Sequence, residues 1–240
     1  MTHGFFQDEK KLNVFISGQK FFGGLILREM LKNPIVNVVG VCCPLDDTHI
    51  GTAAILNGVP VVAAGSLNAD TMPENVDLGI TAHSFDYIGK KTRYKAKLGW
   101  IGYHPSLLPR HRGRSSIEWA IKMHDFVTGG TTFWLNSGID RGDIIAQEVV
   151  WIDPKLFSID VKKAAKALWE GELQDVGVRL INQTVADIIA GRDKRTPQQN
   201  KFSTFEPSLK VNDIYRPDAL LIEHRPQRIT VDKQLIYAQS

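Results

Sequence analysis

Short apolar runs alternate with amphipathic stretches along the first half of the chain. Asn13–Ser17 reads as a strand ending at Gly18, after which Gly23 and Gly24 open a helix through Leu25–Lys32, stopped at Asn33-Pro34. Val36–Cys43 is an apolar run of the kind that forms a strand buried on both faces. His49–Asn57 reads as a helix ended by Gly58, Pro60–Ala63 and Leu78–Ala82 as strands, Ile88–Leu98 as a helix and Trp100–Tyr103 as a strand. A βαβ rhythm of this kind predicts a Rossmann-like α/β fold, with a mostly parallel sheet and helices on both faces. Ligands of such sheets bind in the loops after the strand ends, here Gly18–Gly23, Ala82–Ile88 and His104–Arg114.

The second half changes character. Ser115–His124 predicts a helix with Ser115 or Ser116 as N-cap. Gly130–Leu135 and Asp143–Ile152 predict two strands joined through Asn136–Gly142. One long amphipathic helix is expected within Ile159–Ala190, ending at Gly191, with Gly171 and Gly177 as its weak points. Beyond Gly191 the chain is polar and irregular to about Arg216, and Leu220–Glu223 and Arg228–Tyr237 read as short strands. The division expected is a catalytic domain over residues 1–192 and a short irregular or β extension over 193–240 that serves as a packing or dimerisation arm.

Composition narrows the function. The 240 residues carry a net charge of +3, too slight for a dedicated nucleic-acid binder, so no nucleic-acid partner is expected. The two cysteines, Cys42 and Cys43, are adjacent in an apolar run and suit neither a disulfide framework nor a zinc site. They read as buried strand residues in a reduced, cytoplasmic setting. No apolar run approaches the roughly 20 residues of a membrane helix, and Met1–Lys11 lacks the apolar core of a signal peptide. No metal is expected.

Three segments carry candidate chemistry. Ser17-Gly18-Gln19-Lys20-Phe21-Phe22-Gly23-Gly24 is neither a dinucleotide fingerprint nor a Walker A loop. Its glycines either permit a tight strand-to-helix turn or line one end of a pocket. In Tyr103-His104-Pro105-Ser106-Leu107-Leu108-Pro109-Arg110-His111-Arg112-Gly113 a histidine closes a strand and leads into a loop stiffened by two prolines. Ser106 offers a hydroxyl, Leu107 and Leu108 an apolar wall, and Arg110, Arg112 and Arg114 positive charge, either for an acidic ligand or as solvated surface. Asn136-Ser137-Gly138-Ile139-Asp140-Arg141-Gly142-Asp143 is a turn rich in residues that tolerate left-handed backbone.

His-Pro-Ser-Leu-Leu-Pro-Arg-His-Arg-Gly, followed after a helix and a strand by Gly-Ile-Asp-Arg-Gly-Asp, resembles the formyltransferase family, which uses 10-formyltetrahydrofolate. Val14 through Gln19, Phe22-Gly23 and Phe133-Trp134 extend the likeness, which is greatest with the hydrolase domain of 10-formyltetrahydrofolate dehydrogenase and covers residues 12 to 152. The resemblance implies the formyltransferase fold, a folate co-substrate and a small acceptor. It places the catalytic pair on His104 and Asp140, and the family's asparagine position on Gly102, which has no side-chain donor. It implies that folate lies against Phe85, Asp86, Tyr87 and Ile88 and against Asn136, Ser137, Gly138 and Ile139, with Ser106, Leu107, Leu108 and Arg110 on the substrate side. Water, an amino sugar or another amine remain open as acceptor. A folate-binding protein with catalysis impaired at Gly102 is the alternative. A homodimer is compatible with the terminal arm.

Overall fold

The computed structural model describes residues 11–206. Its strands form where the apolar runs lie: β1 (Leu12–Gly18), β2 (Val36–Cys43), β3 (Val61–Ala63), β4 (Leu78–Ala82), β5 (Gly99–His104), β6 (Val127–Trp134) and β7 (Ile144–Trp151). They form a seven-stranded sheet of order β3-β2-β1-β4-β5-β6-β7. β2 and β4 flank β1 in parallel, β3 follows β2 and β5 follows β4 in parallel, and β6 and β7 are antiparallel. This is the mostly parallel α/β sheet expected of the sequence.

The chain divides into two compact units, residues 11–102 with 181–192 and residues 103–180 with 193–206. Residues 193–206 cluster with the second unit. The strands expected at Leu220–Glu223 and Arg228–Tyr237 lie outside the described residues.

In the first unit, helix α1 (Lys20–Lys32) buries Phe22, Ile26, Leu27 and Met30, which recur at helical spacing. The helix starts before Gly23 and Gly24, which sit inside it. A Cβ on Gly23 would lie 3.2 Å from the Gly18 carbonyl carbon, and one on Gly24 would lie 3.2 Å from that of His49. These glycines serve close packing, and the left-handed residue of the turn is Lys20 at φ 59°. Helix α2 (Ile50–Leu56) is tied to α1 through Asp47. The Asp47 Oδ1 accepts from the N–H groups of His49 and Ile50 at 2.8 Å each, and Oδ2 accepts from that of Lys20 at 2.6 Å. Burial alone would raise the Asp47 carboxyl, but these backbone donors and Gly51 outweigh it and hold it below the usual range. Helix α3 spans only Lys90–Lys95, shorter than the Ile88–Leu98 expected, because Ile88 and Ala96 turn into the core on either side.

In the second unit, α4 (Ser116–Lys122) starts where expected, but neither serine caps it. Ser115 is left-handed at φ 63° with no side-chain cap bond, and the Ser116 hydroxyl donates to the Pro105 carbonyl at 3.3 Å. A 3-10 turn (Pro154–Ser158) leads to α5 (Val161–Leu168), capped by Asp160. The long helix breaks at a π turn (Trp169–Leu173) around Gly171 and resumes as α6 (Gln174–Ile189), which runs through Gly177 unbroken. The Tyr103 hydroxyl donates to the Leu173 carbonyl at 2.6 Å, supplying a partner at the π turn. Ala120, Ile121, Val150, Ile152, Leu168, Leu173 and Val176 form the unit's apolar core. Each large aliphatic side chain buried there contributes roughly 1.5–3 kcal/mol. No helix among the described residues is long and apolar enough to cross a membrane.

The π turn allows a direct check. Beyond its chain neighbours and its own helix's backbone, no atom lies within 4 Å of where a Gly171 Cβ would stand. Gly171→Ala is expected to stabilise the protein by about 0.5–1 kcal/mol, because glycine loses more chain entropy on folding. A urea midpoint that stays put or falls would contradict this reading of the turn.

Candidate active site

His104 is the last residue of β5, and its side chain is 8% exposed. The Nε2 lies 2.6 Å from the carbonyl oxygen of His111. A carbonyl only accepts, so Nε2 carries the hydrogen. In the neutral ring Nδ1 is then the lone-pair nitrogen, and it faces Asp140 Oδ2 at 3.6 Å. The histidine and aspartate singled out by the sequence are thus brought together.

Asp140 lies in the β6–β7 connection with φ 50°, a left-handed backbone that aspartate tolerates better than most residues. Its Oδ2 accepts from the Gly113 N–H at 2.7 Å. The Gln198 amide donates to the Asp140 carbonyl at 2.9 Å and to the Gly142 carbonyl at 2.7 Å. The Oε1 of Gln198 accepts from Arg112 Nε at 3.0 Å and Nη2 at 2.7 Å. Arg112 is buried, and its main chain bridges to Phe205. Burial, together with the Arg141 charge, pushes its guanidinium down to about 10 against the pull of Asp140, so it stays charged at neutral pH. Arg112 thus acts on Asp140 through Gln198.

Ser106 and Leu108 of the histidine loop face inward. The Ser106 hydroxyl donates to the Arg110 carbonyl at 2.6 Å, and Ser106 is fully buried. Leu108 is buried, its N–H donates to Thr131 Oγ1 at 3.1 Å, and its bond to Pro109 is cis. Leu107 is half-buried. Arg110 pairs with Asp125 at 3.0 Å. Asn136 Oδ1 accepts from the Gly138 N–H at 2.8 Å, closing the turn before Ile139, whose side chain is exposed. Ser137 is exposed and Gly138 half-buried.

In the first unit, a cavity of about 190 Å³ opens beside the ends of β1, β2, β3 and β4, lined by Gly18, Gln19, Pro44, Ala64, Ser84, Phe85 and Asp86. A Cβ on Gly18 would lie 2.5 Å from the Ala82 carbonyl oxygen, so this lining position requires glycine. Phe85 and Tyr87 are exposed, whereas Ile88 is buried in the core. Asp86 Oδ1 accepts from the Gly65 N–H at 2.6 Å, and Oδ2 accepts from the Cys42 thiol at 3.4 Å. Burial, with the Asp86 charge, pushes the Cys42 thiol up to about 12, and burial pushes Cys43 to about 11. Neither is a ready nucleophile. Gly102, inside β5, is also buried.

Sequence reasoning missed Gln198, Thr204 and Glu206, which lie in the polar stretch after Gly191 and carry no periodicity. It also missed Asp125, which sits just past the end of α4. Among the described residues no cluster of three His, Cys, Asp or Glu is placed to hold a metal ion.

A family model described as formyl transferase matches residues 10–173. Mitochondrial 10-formyltetrahydrofolate dehydrogenase of Mus musculus is 31% identical over 214 residues, 82% of this chain but 22% of the dehydrogenase. The cytosolic dehydrogenase of Xenopus laevis is 29% identical over 83% of this chain and 23% of its own length. The chain therefore spans under a quarter of these relatives. A 4-N formyltransferase from Francisella tularensis superposes with a TM-score of 0.66 at 19% identity, covering 88% of this chain and 85% of that one, which shows a shared fold. With most of the chain matched by the family model, this chain belongs to the formyl transferase family.

Proposed function

We propose that this protein removes the formyl group from 10-formyltetrahydrofolate and passes it to water or to a small amine. The observation that carries the reading is the His104–Asp140 pair, with Nδ1 and Oδ2 3.6 Å apart. One proton on Nδ1 converts the two into an ion pair. His104 takes the proton that the nucleophile loses on attacking the formyl carbon, and Asp140 carries the countercharge. The positive ring stabilises the negative oxygen that develops on that carbon. The same ring returns its proton to the nitrogen released when the carbon–nitrogen bond breaks. Water then yields formate, and an amine yields a formamide.

The loops suit a folate. Phe85 and Tyr87 of the first unit are large, exposed side chains able to cover a flat ring. Ile88, Ser106 and Leu108 are each buried within their own unit, so they support the loops that carry them from inside. The relatives' names point the same way, because the Mus musculus and Xenopus laevis proteins are 10-formyltetrahydrofolate dehydrogenases.

Incubation with 10-formyltetrahydrofolate, following release of tetrahydrofolate with and without candidate amines, tests the reading. Turnover in buffer alone assigns water as acceptor, and turnover only with an amino sugar assigns transfer. Tight binding without turnover under every condition would leave a folate-binding protein and sink the enzyme. If the missing side-chain donor at Gly102 limits the rate, Gly102→Asn is expected to raise turnover towards the 10²–10³-fold that one oxyanion donor typically supplies, about 2.7–4 kcal/mol. An unchanged or lower rate would show that the donor is not limiting.

A further inference from the structure

We propose that His111 is a positioning residue for His104: its buried ring, gripped by Asp125 and Glu206, fixes the backbone carbonyl that orients the His104 imidazole. The inference rests on the catalytic role proposed for His104.

His111 is 2% exposed and left-handed at φ 53°, an uncommon conformation for so bulky a residue. Such a backbone persists only where its surroundings hold it. Here the grip comes from three sides. The His111 Nε2 lies 2.8 Å from Asp125 Oδ2, Nδ1 lies 3.2 Å from Glu206 Oε1, and the main-chain N–H donates to Thr204 Oγ1 at 2.7 Å. The Glu206 contact is an ion pair without hydrogen-bond alignment, and Glu206 is 5% exposed.

The loop so held touches both members of the pair. The His111 carbonyl accepts from His104 Nε2, and two residues on the Gly113 N–H donates to Asp140. Displacing residues 111–113 releases the ring and the carboxylate together. The side chain of His111 bonds to Asp125 and pairs with Glu206, while its main-chain carbonyl meets His104, so its effect passes through the main chain.

Charge explains why a histidine serves here. Asp125 and Glu206 bring two negative charges, and Arg110, at 3.0 Å from Asp125, brings one positive. A protonated His111 makes the group neutral, whereas a neutral ring strands one negative charge in the interior. Burial pushes the His111 ring towards neutrality, but the Asp125 hydrogen bond and the nearby Glu206 and Asp125 carboxylates outweigh it, and the net direction is up. Burial would raise Asp125, and His111 and Arg110 turn that into a net decrease. A histidine raised in the folded state contributes stability in full below its ordinary value of about 6.5 and loses it as pH rises through the folded value. The grip, and the orientation of His104 with it, therefore loosens on the alkaline side.

Three measurements on the full chain test the proposal. In ¹⁵N-histidine-labelled protein, at a pH where the His104 ring is neutral, His104 is expected to show the Nε2–H tautomer, and His111→Gln to give a mixture of tautomers. His111→Gln is expected to lower kcat by about 10- to 100-fold, as for a misplaced catalytic group, with KM for the formyl donor within about twofold. Glu206→Gln removes one carboxylate, so the alkaline limb of the rate profile should move to lower pH. A His104 tautomer unchanged in folded His111→Gln would overturn the proposal, as would an unmoved alkaline limb in folded Glu206→Gln. The tautomer measurement needs no turnover, so it separates failure here from failure of the proposed reaction.

Discussion

His104→Ala is expected to lower formyl release by about 10²–10⁴-fold, the usual contribution of a positioned acid–base group. Alanine leaves no group on β5 to take the proton of the attacking nucleophile, and it frees the His111 carbonyl that now accepts from Nε2. Asp140→Asn is the sharper variant. An asparagine oxygen can still accept from the Gly113 N–H, so the turn keeps its shape while the countercharge disappears. Its rate should fall into the same range, with circular dichroism and melting temperature close to the parent's. Because the pair acts as a unit, the double variant should be scarcely slower than His104→Ala alone. Losses that multiply would mean that the two side chains act independently. A rate within threefold of the parent for either single variant would remove the pair from the mechanism.

The two residues were picked out through the family resemblance of two short segments, not by local pattern, and the fold brings their side chains within 3.6 Å. β2 and β4 have the bounds expected, since their apolar runs end where buried backbone ends. The start of α1 was misplaced because Gly23 and Gly24 look like a loop. In the fold they bring α1 against the end of β1 and against His49, which local propensity does not encode. Ser115 has the identity of an N-cap but takes a left-handed backbone. The polar stretch after Gly191 hid the most. Gln198, Thr204 and Glu206 acquire their roles only when residues 193–206 reach Arg112, His111 and the Asp140 turn. Such contacts span 56 positions of sequence or more, and no local pattern announces them.

Gly142→Ala is expected to cause the largest loss of stability among single methyl additions near the site. A Cβ there would stand 1.5 Å from the Trp134 carbonyl oxygen and 2.7 Å from its carbon. Both are backbone atoms at the end of β6, so no side chain can swing away. One strand end must move instead. The Trp134 N–H donates to the Asp143 carbonyl at 2.9 Å, and that bond is strained or lost. Overpacking usually costs about 1–3 kcal/mol, and a forced backbone shift belongs at or above the top of that range. At roughly 2–4 °C per kcal/mol for a chain of this size, the melting temperature should fall by about 6–12 °C. Activity should fall with it, even well below the melting point. Gln198 bridges the carbonyls of Asp140 and Gly142, so a displaced Gly142 shifts the carboxylate that faces His104. Gly171→Ala, where the added methyl meets open space, is the matched control. A Gly142→Ala protein that melts within 2 °C of the parent, a shift under about 1 kcal/mol, would show that the turn yields without strain and that Asp140 is not held by this close approach.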